Sequence, residues 1–219
     1  MEHGVRTKMA EGPYKLPKGW KWVRLEEVAQ TLESGFAFRK KGVQNGDLPH
    51  LRPYNIGDDG NIHLDELFLI PRNEVPRNKT ISLIPGDVLF NNTNSVELVG
   101  KTALVTQPME AGFSNHITLI RTKPDIQGAW LALALRAWWR QGFFARICNK
   151  WIGQAGINTE TLKHIPIPLP PLPEQRRIVA YLDQVQAQVT ALRKAQESTE
   201  AELHRLEQAI LDKAFRGEI

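Results

Sequence analysis

Cysteine is almost missing from this sequence: Cys148 is the single one in 219 residues. An internal disulfide is excluded, and so is a zinc site built on thiolates. That scarcity suits a reducing compartment, so a cytoplasmic location is expected. The polar, mixed character of residues 1–18 carries no signal-peptide pattern. Long apolar runs are lacking as well. The most apolar stretch, 129–139, is too short to span a bilayer and contains Arg136, so no membrane partner is expected. The Asn-x-Thr matches at Asn78 and Asn91 therefore carry no glycosylation meaning.

Catalytic signatures are equally scarce. No Gly-rich loop follows a strand to hold S-adenosylmethionine, and no Gly-x-x-x-x-Gly-Lys-Ser/Thr appears for ATP. The Asp/Asn-Pro-Pro-Tyr/Phe motif of adenine methyltransferases is missing, since Pro170-Pro171 has leucine on both sides. The six histidines, at 3, 50, 63, 116, 164 and 204, show no metal-ligand spacing. Its carboxylates form no recognisable nuclease cluster. The expectation is a chain with no catalytic residue, no metal and no cofactor of its own.

Glycine and proline vanish over one long stretch. None occurs between Glu174 and Arg216, immediately after Pro166, Pro168, Pro170, Pro171 and Pro173. A stiff, extended segment runs straight into a long helix. Along it apolar residues fall at Ile178, Leu182, Val185, Val189, Leu192, Leu203, Leu206 and Ile210. The spacing alternates four and three, and the count runs on through Gln196 and Thr199. This is a coiled-coil repeat of roughly five heptads. Nothing else in the sequence is long enough to cover such a stripe, so the eight residues are candidates for dimerisation with another chain.

Before the prolines the patterning is mixed. Residues 20–25 read as a short alternating strand and 26–31 as a turn or two of helix. Residues 35–46 read as a loop and 48–56 as extended chain. Short apolar runs at 67–70, 81–84, 88–90, 99–105 and 117–121, punctuated by turn residues, argue for an irregular β-rich core. From 130 to 148 apolar residues recur at helical spacing, with Trp138, Trp139, Phe143 and Phe144 at core positions. Residues 153–156 read as a flexible polar loop, and Asn158 as the cap of a short helix over 159–164. The fold class is therefore α+β: a β-rich globular domain with a few helices, then one long helix. Its divisions are expected at 1–15 (a flexible arm), 16–165 (the globular domain), 166–173 (a proline-rich join) and 174–219 (the helix).

Charge is uneven. Residues 1–173 hold 21 Lys+Arg against 16 Asp+Glu, whereas 174–216 hold seven of each. The basic excess lies on the globular part and is compatible with a polyanion.

Several segments together resemble the DNA-specificity subunit of Type I restriction-modification systems. They are Leu16-Pro17-Lys18-Gly19-Trp20, Pro85-Gly86-Asp87-Val88-Leu89 with Val99-Gly100-Lys101, and Leu169-Pro170-Pro171-Leu172-Pro173-Glu174-Gln175-Arg176-Arg177-Ile178-Val179. The end, 206–211 leading into Lys213-Ala214-Phe215-Arg216-Gly217-Glu218-Ile219, is similar too. The resemblance implies a target-recognition domain followed by a helical region. The usual member carries two such units whose long helices pair antiparallel as a spacer. It docks two adenine methyltransferase subunits, and a motor-nuclease subunit joins for restriction. S-adenosylmethionine, ATP and magnesium then belong to those partners. One unit alone implies a half-size subunit that pairs with a second copy or another specificity subunit, or a piece of a longer one.

On that footing the chain should read double-stranded DNA. Base reading needs amides, guanidinium groups and rings on loops, backed by cations on phosphate. The candidates are Asn91, Asn92 and Asn94 after a buried strand, then Arg52, Tyr54 and Asn55. Two further sets are Asn115 with His116, and Gln154 with Lys150. Arg39, Lys40, Lys41 and Lys101 are candidates for phosphate. The rival expectation is a coiled-coil adaptor or decoy that binds partner proteins without reading DNA.

Overall fold

The computed structural model describes residues 12–38 and 46–218. In chain order the first elements are β1 (Lys21–Arg24), α1 (Leu25–Val28), β2 (Ala29–Ser34), β3 (Leu48–Leu51) and β4 (Leu69–Ile70). Next come β5 (Ser82–Leu83), β6 (Val88–Asn91), β7 (Thr93–Asn94), β8 (Thr102–Leu104), β9 (Met109–Glu110) and β10 (Gly112–Phe113). The middle of the chain forms β11 (Ile117–Thr122), α2 (Gly128–Arg140) and α3 (Phe143–Ile147). The series ends with β12 (Asn149–Trp151), β13 (Gln154–Gly156), α4 (Thr159–Lys163), β14 (Pro166–Leu169) and α5 (Leu172–Phe215). The expected α+β class is what the structure shows.

Backbone contacts divide the chain into two units, 1–175 and 176–219. The heart of the first is an antiparallel sheet in the order β2-β11-β6-β8. Its centre is β11, whose first four residues are all buried. Four consecutive buried residues mark a strand covered on both faces. One side holds Leu51, Leu83, Leu89, Phe113, Ile117 and Leu119. Helix α2 packs against β8, β6 and β11, and buries Trp130, Leu131, Leu135 and Trp138. Phe144 from α3 meets Phe90 edge-on at 5.1 Å.

The proline-rich segment pairs as well as stiffens. Its first four residues are β14, antiparallel to β1 with Trp22 opposite Pro168 and Arg24 opposite Pro166. Proline offers no N–H, so it suits a strand at a sheet edge. The carbonyls of Pro168 and Pro166 accept instead from the indole N–H groups of Trp130 (2.9 Å) and Trp138 (2.7 Å). Trp22 stacks on Trp138 at 6.0 Å. Tyr14, which falls within the expected arm, packs against Trp22 at 5.0 Å and accepts the Trp22 indole N–H on its carbonyl. Residues 1–11 of that arm lie outside the described residues.

Several local expectations need correction. The helix expected over 130–148 is two, because Gly142 takes φ +68° between Arg140 and Phe143 and turns the chain. The helix expected at 26–31 stops at Val28, and Ala29 begins a strand. Of the loop expected at 153–156, Gly153 is a turn residue and Gln154–Gly156 form strand β13, which pairs with β12 and with β7. Strand structure within 99–105 is confined to Thr102–Leu104. Asn158 does cap α4, accepting the Thr161 N–H at 2.7 Å.

Helix α5 has 44 residues, about 66 Å at 1.5 Å per residue. Within the second unit, Leu182, Val189, Leu192, Leu203, Leu206 and Ile210 are all exposed. No helix among the described residues is long and apolar enough to cross a membrane.

A second cluster packs Phe36, Phe38, Leu48 and Ile70 around His50, which is fully buried. Its Nε2 lies 3.1 Å from the Phe36 carbonyl. Burial, with the Arg52 charge nearby, pushes the His50 imidazole down to about 4. The folded state thus takes up its proton later than the unfolded chain, whose histidine titrates near 6.5. Stability should fall as pH drops from about 6.5 towards 4, by about 2 kcal/mol between pH 7 and pH 5. Urea denaturation of the wild type and of His50→Gln at both pH values tests this, and the variant should lose that part of the slope.

Candidate nucleic-acid interface

The stretch Asn91-Asn92-Thr93-Asn94 runs from the central sheet to its edge, and its three amides have different duties. Asn91 is the last residue of β6 and fully buried. Its Nδ2 donates to the Leu98 carbonyl at 3.2 Å. Asn92 is 8 % exposed. Its Nδ2 donates to the Asn115 carbonyl (3.2 Å) and to Thr118 Oγ1 (2.8 Å), and its Oδ1 accepts from Thr93. Its backbone N–H bonds the His116 carbonyl, and its carbonyl takes the Ile157 N–H. Every polar group of Asn92 is thus bonded inside the protein, and Asn91 has spent its amide N–H on the Leu98 carbonyl. Both amides are buried in the fold, Asn92 with all its polar groups bonded and Asn91 with its Oδ1 left unpaired, whereas base contact asks for an exposed amide.

Asn92 instead joins the segments whose groups can make such contact. Asn94, in β7, uses its Oδ1 on the Ser95 N–H and is half-exposed. β7 pairs with β13, which sets Asn94 opposite Ala155. On the other side of β13, Lys150 lies opposite Ala155 and Trp151 opposite Gln154. Lys150 and Gln154 are exposed, as is Asn115. Burial and the nearby Arg52 charge hold His116 below its ordinary range. Near pH 7 it is therefore neutral, a hydrogen-bonding group rather than a phosphate-binding cation. Asn94, Asn115, His116, Lys150 and Gln154 thus belong to strand β7, the 114–116 loop and the β12–β13 hairpin, which are joined next to Asn92. This arrangement offers amides, an imidazole and an ammonium group, the donors and acceptors that base edges and phosphates take.

Of the remaining candidates, only Arg52 lies near this group, close enough for its charge to act on His116. Arg52 is half-buried; its guanidinium sits 4.5 Å from the Phe68 ring centroid and donates to the Phe38 carbonyl at 3.2 Å. Asn55 is turned into the fold. It is 2 % exposed, with Nδ2 donating to the carbonyls of His63 and Glu66, both at 2.8 Å, and Oδ1 accepting from the Arg52 N–H. Tyr54 and Lys101 line a cleft of about 540 Å³ with Asp58, Asp59, Asp65 and Glu66. Lys101 is paired to Asp58 at 2.6 Å. An acidic wall repels phosphate, which makes the surroundings of Lys101 unfavourable for a phosphate contact. Arg39, Lys40 and Lys41 lie outside the described residues. Among the described residues no group of His, Cys, Asp and Glu is placed to hold a metal ion.

Two exposed side chains escaped the sequence reading: Trp151 and Ile152, at the tip of the β12–β13 hairpin. The signal was present as Asn149-Lys150-Trp151, Ile152-Gly153, Gln154-Ala155-Gly156, a two-residue turn between short strands.

Comparison with known proteins fixes the family. A family model described as the Type I restriction modification DNA specificity domain matches residues 17–203. The chain belongs to this family. It is 29 % identical over 215 residues to the EcoKI specificity subunit of Escherichia coli, covering 94 % of this chain and 44 % of that protein. Among solved structures, the crystal structure of the HsdS subunit from Thermoanaerobacter tengcongensis aligns with a TM-score of 0.64 at 34 % identity, over 95 % of this chain and 48 % of that one. A chain from a structure of the assembly and conformational transition of a type I restriction-modification system aligns at 0.70 and 33 %, over 95 % and 49 %. The chain spans about half the length of the curated relatives it matches. In this structure Asp87 ties the Pro85-Gly86 turn by accepting the Ile84 N–H at 3.0 Å, and holds Arg121 through two contacts of 2.7 Å.

The two classes of polar residue should separate cleanly. Asn92→Ala should cost about 1–3 kcal/mol, the penalty for unsatisfied buried groups. Gln154→Ala, at an exposed position, should stay within about 0.5 kcal/mol of wild type. Urea unfolding of the two variants side by side measures both.

Proposed function

We propose that this chain is a non-catalytic DNA reader that recognises one half of a bipartite target. Residues 16–165 form the recognition domain, with 166–173 as its join to the helical region 174–219. The observation that carries the reading is that the segments bearing Asn94, Asn115, His116, Lys150 and Gln154 are joined: Asn92 bonds the Asn115 and His116 carbonyls, and β7 pairs with the β12–β13 hairpin. Membership of a DNA specificity family supports it. Asn and Gln suit adenine, and Lys150 suits phosphate along with the Arg39-Lys40-Lys41 cluster.

The open stripe from Ile178 to Ile210 supports a second role. A helix of this length with an exposed apolar face needs a partner. The partner proposed is a second copy of this chain, or another specificity subunit, and the paired helices set the distance between half-sites. The same helix and join dock a DNA adenine methyltransferase subunit, and a motor-nuclease subunit adds restriction. Chemistry with S-adenosylmethionine, ATP and magnesium belongs to those partners, in the cytoplasm.

A symmetric pair imposes its two-fold axis on the DNA, so the target is an interrupted palindrome. Co-expression with the methyltransferase subunit of the same system, followed by long-read mapping of methylated adenines, should return such a motif. An asymmetric bipartite motif would mean that a different subunit supplies the second half. No new methylation from an intact complex would favour an adaptor or decoy that binds proteins alone.

A further inference from the structure

The β12–β13 hairpin places apolar side chains where packing gains nothing from them. Ile152 is 105 % exposed and Trp151 58 %. The turn between the strands is Ile152-Gly153, with Gly153 at φ +73°, and a Cβ at Gly153 would meet no atom within 4 Å. The tip therefore stands in open solvent. Its base, by contrast, is held on two sides. β13 is paired to β7 at Ala155–Asn94 and Gly156–Thr93. A Cβ at Gly156 would lie 3.0 Å from Trp151 Cζ3 and 3.3 Å from both the Asn92 carbonyl and Thr93 Oγ1. The indole thus rests on the bare backbone of Gly156, beside the residue that gathers the polar surface. One part of the ring is seated and the rest is presented.

The flanking chemistry names the occupant. Lys150, Gln154 and Asn94 border the tip, so its surroundings suit a polar, anionic surface with an occasional apolar group. The major groove of double-stranded DNA is such a surface. It admits a two-stranded β-ribbon, and the C5-methyl of thymine is the apolar group displayed among its donors and acceptors.

We propose that the β12–β13 hairpin enters the major groove of the half-site, with Ile152 against a thymine methyl and the exposed face of Trp151 beside it. In that pose Gln154 and Asn94 meet neighbouring base edges, and Lys150 meets phosphate. The proposal rests on the DNA-reading function and adds a residue that sets specificity through shape and methyl contact rather than hydrogen bonding.

The test uses the full chain and duplex DNA. Selection from a random-sequence duplex pool gives the wild-type motif. Each thymine of that motif is then replaced singly by uracil, which lacks only the methyl group. At one position the replacement should weaken wild-type binding by about fourfold, the worth of one buried carbon. Ile152→Ala should melt like the wild type, bind the thymine duplex at least about fourfold more weakly, and be indifferent to uracil there. A wild type that keeps its motif but tolerates uracil everywhere, or an Ile152→Ala variant with unchanged motif and affinity, overturns the hairpin assignment and leaves DNA reading intact. A wild type that selects no motif overturns both.

Discussion

The proposed recognition surface depends on the side chain of Asn92. It joins β7, the 114–116 loop and β11 through hydrogen bonds that all lie inside the protein. Two of these segments are too short to hold their own shape, since β7 has two residues and the loop has no regular structure, and both are tied to the six-residue central strand β11. A base-reading group must sit within hydrogen-bond range of its target, and loops of this length do not achieve that alone. Burying a fully satisfied amide at their junction gives them a common origin. The residues that face outward inherit their positions from one that does not.

A similar economy holds the globular unit closed. The β1–β14 pair lies at an edge, where prolines cost no sheet bonds, and the tryptophans of α2 take up the proline carbonyls. Two large rings are thereby buried with their N–H groups satisfied, which is the condition for burying tryptophan at all. The result ties the first strand, the helix layer and the segment leading into α5 into one packed assembly.

What the sequence disclosed follows from which signals are periodic. The long helix was legible because its heptad spacing and lack of glycine and proline are cumulative over forty residues. The buried strands at 88–90 and 117–121 were legible for the same reason on a shorter scale. Gly153 to Gly156 was misread because two glycines bracket it, yet Gly156 is there to seat the Trp151 ring. The helix break at Gly142 hid inside a run of aromatics whose spacing stays nearly helical across it. Amides posed the hardest problem. Asn55, Asn91 and Asn92 look like Asn94 in a sequence, and only the tertiary partners separate an amide spent on the fold from one left for a ligand. Arg52 is a similar case, since the Phe68 ring that claims its guanidinium lies sixteen residues away.

The antiparallel pairing of β1 with β14 brings the two ends of the globular unit side by side. Neighbouring strands lie about 4.8 Å apart, so chain enters and leaves this unit through a narrow gate. A module with adjoining ends can be spliced into a longer polypeptide, or exchanged for another of the same gate, without stretching what surrounds it. The loops at Asn94, Asn115 and Gln154 can then diverge freely while the gate keeps its width. Exchanging such a unit is a matter of replacing a cassette rather than rebuilding a protein.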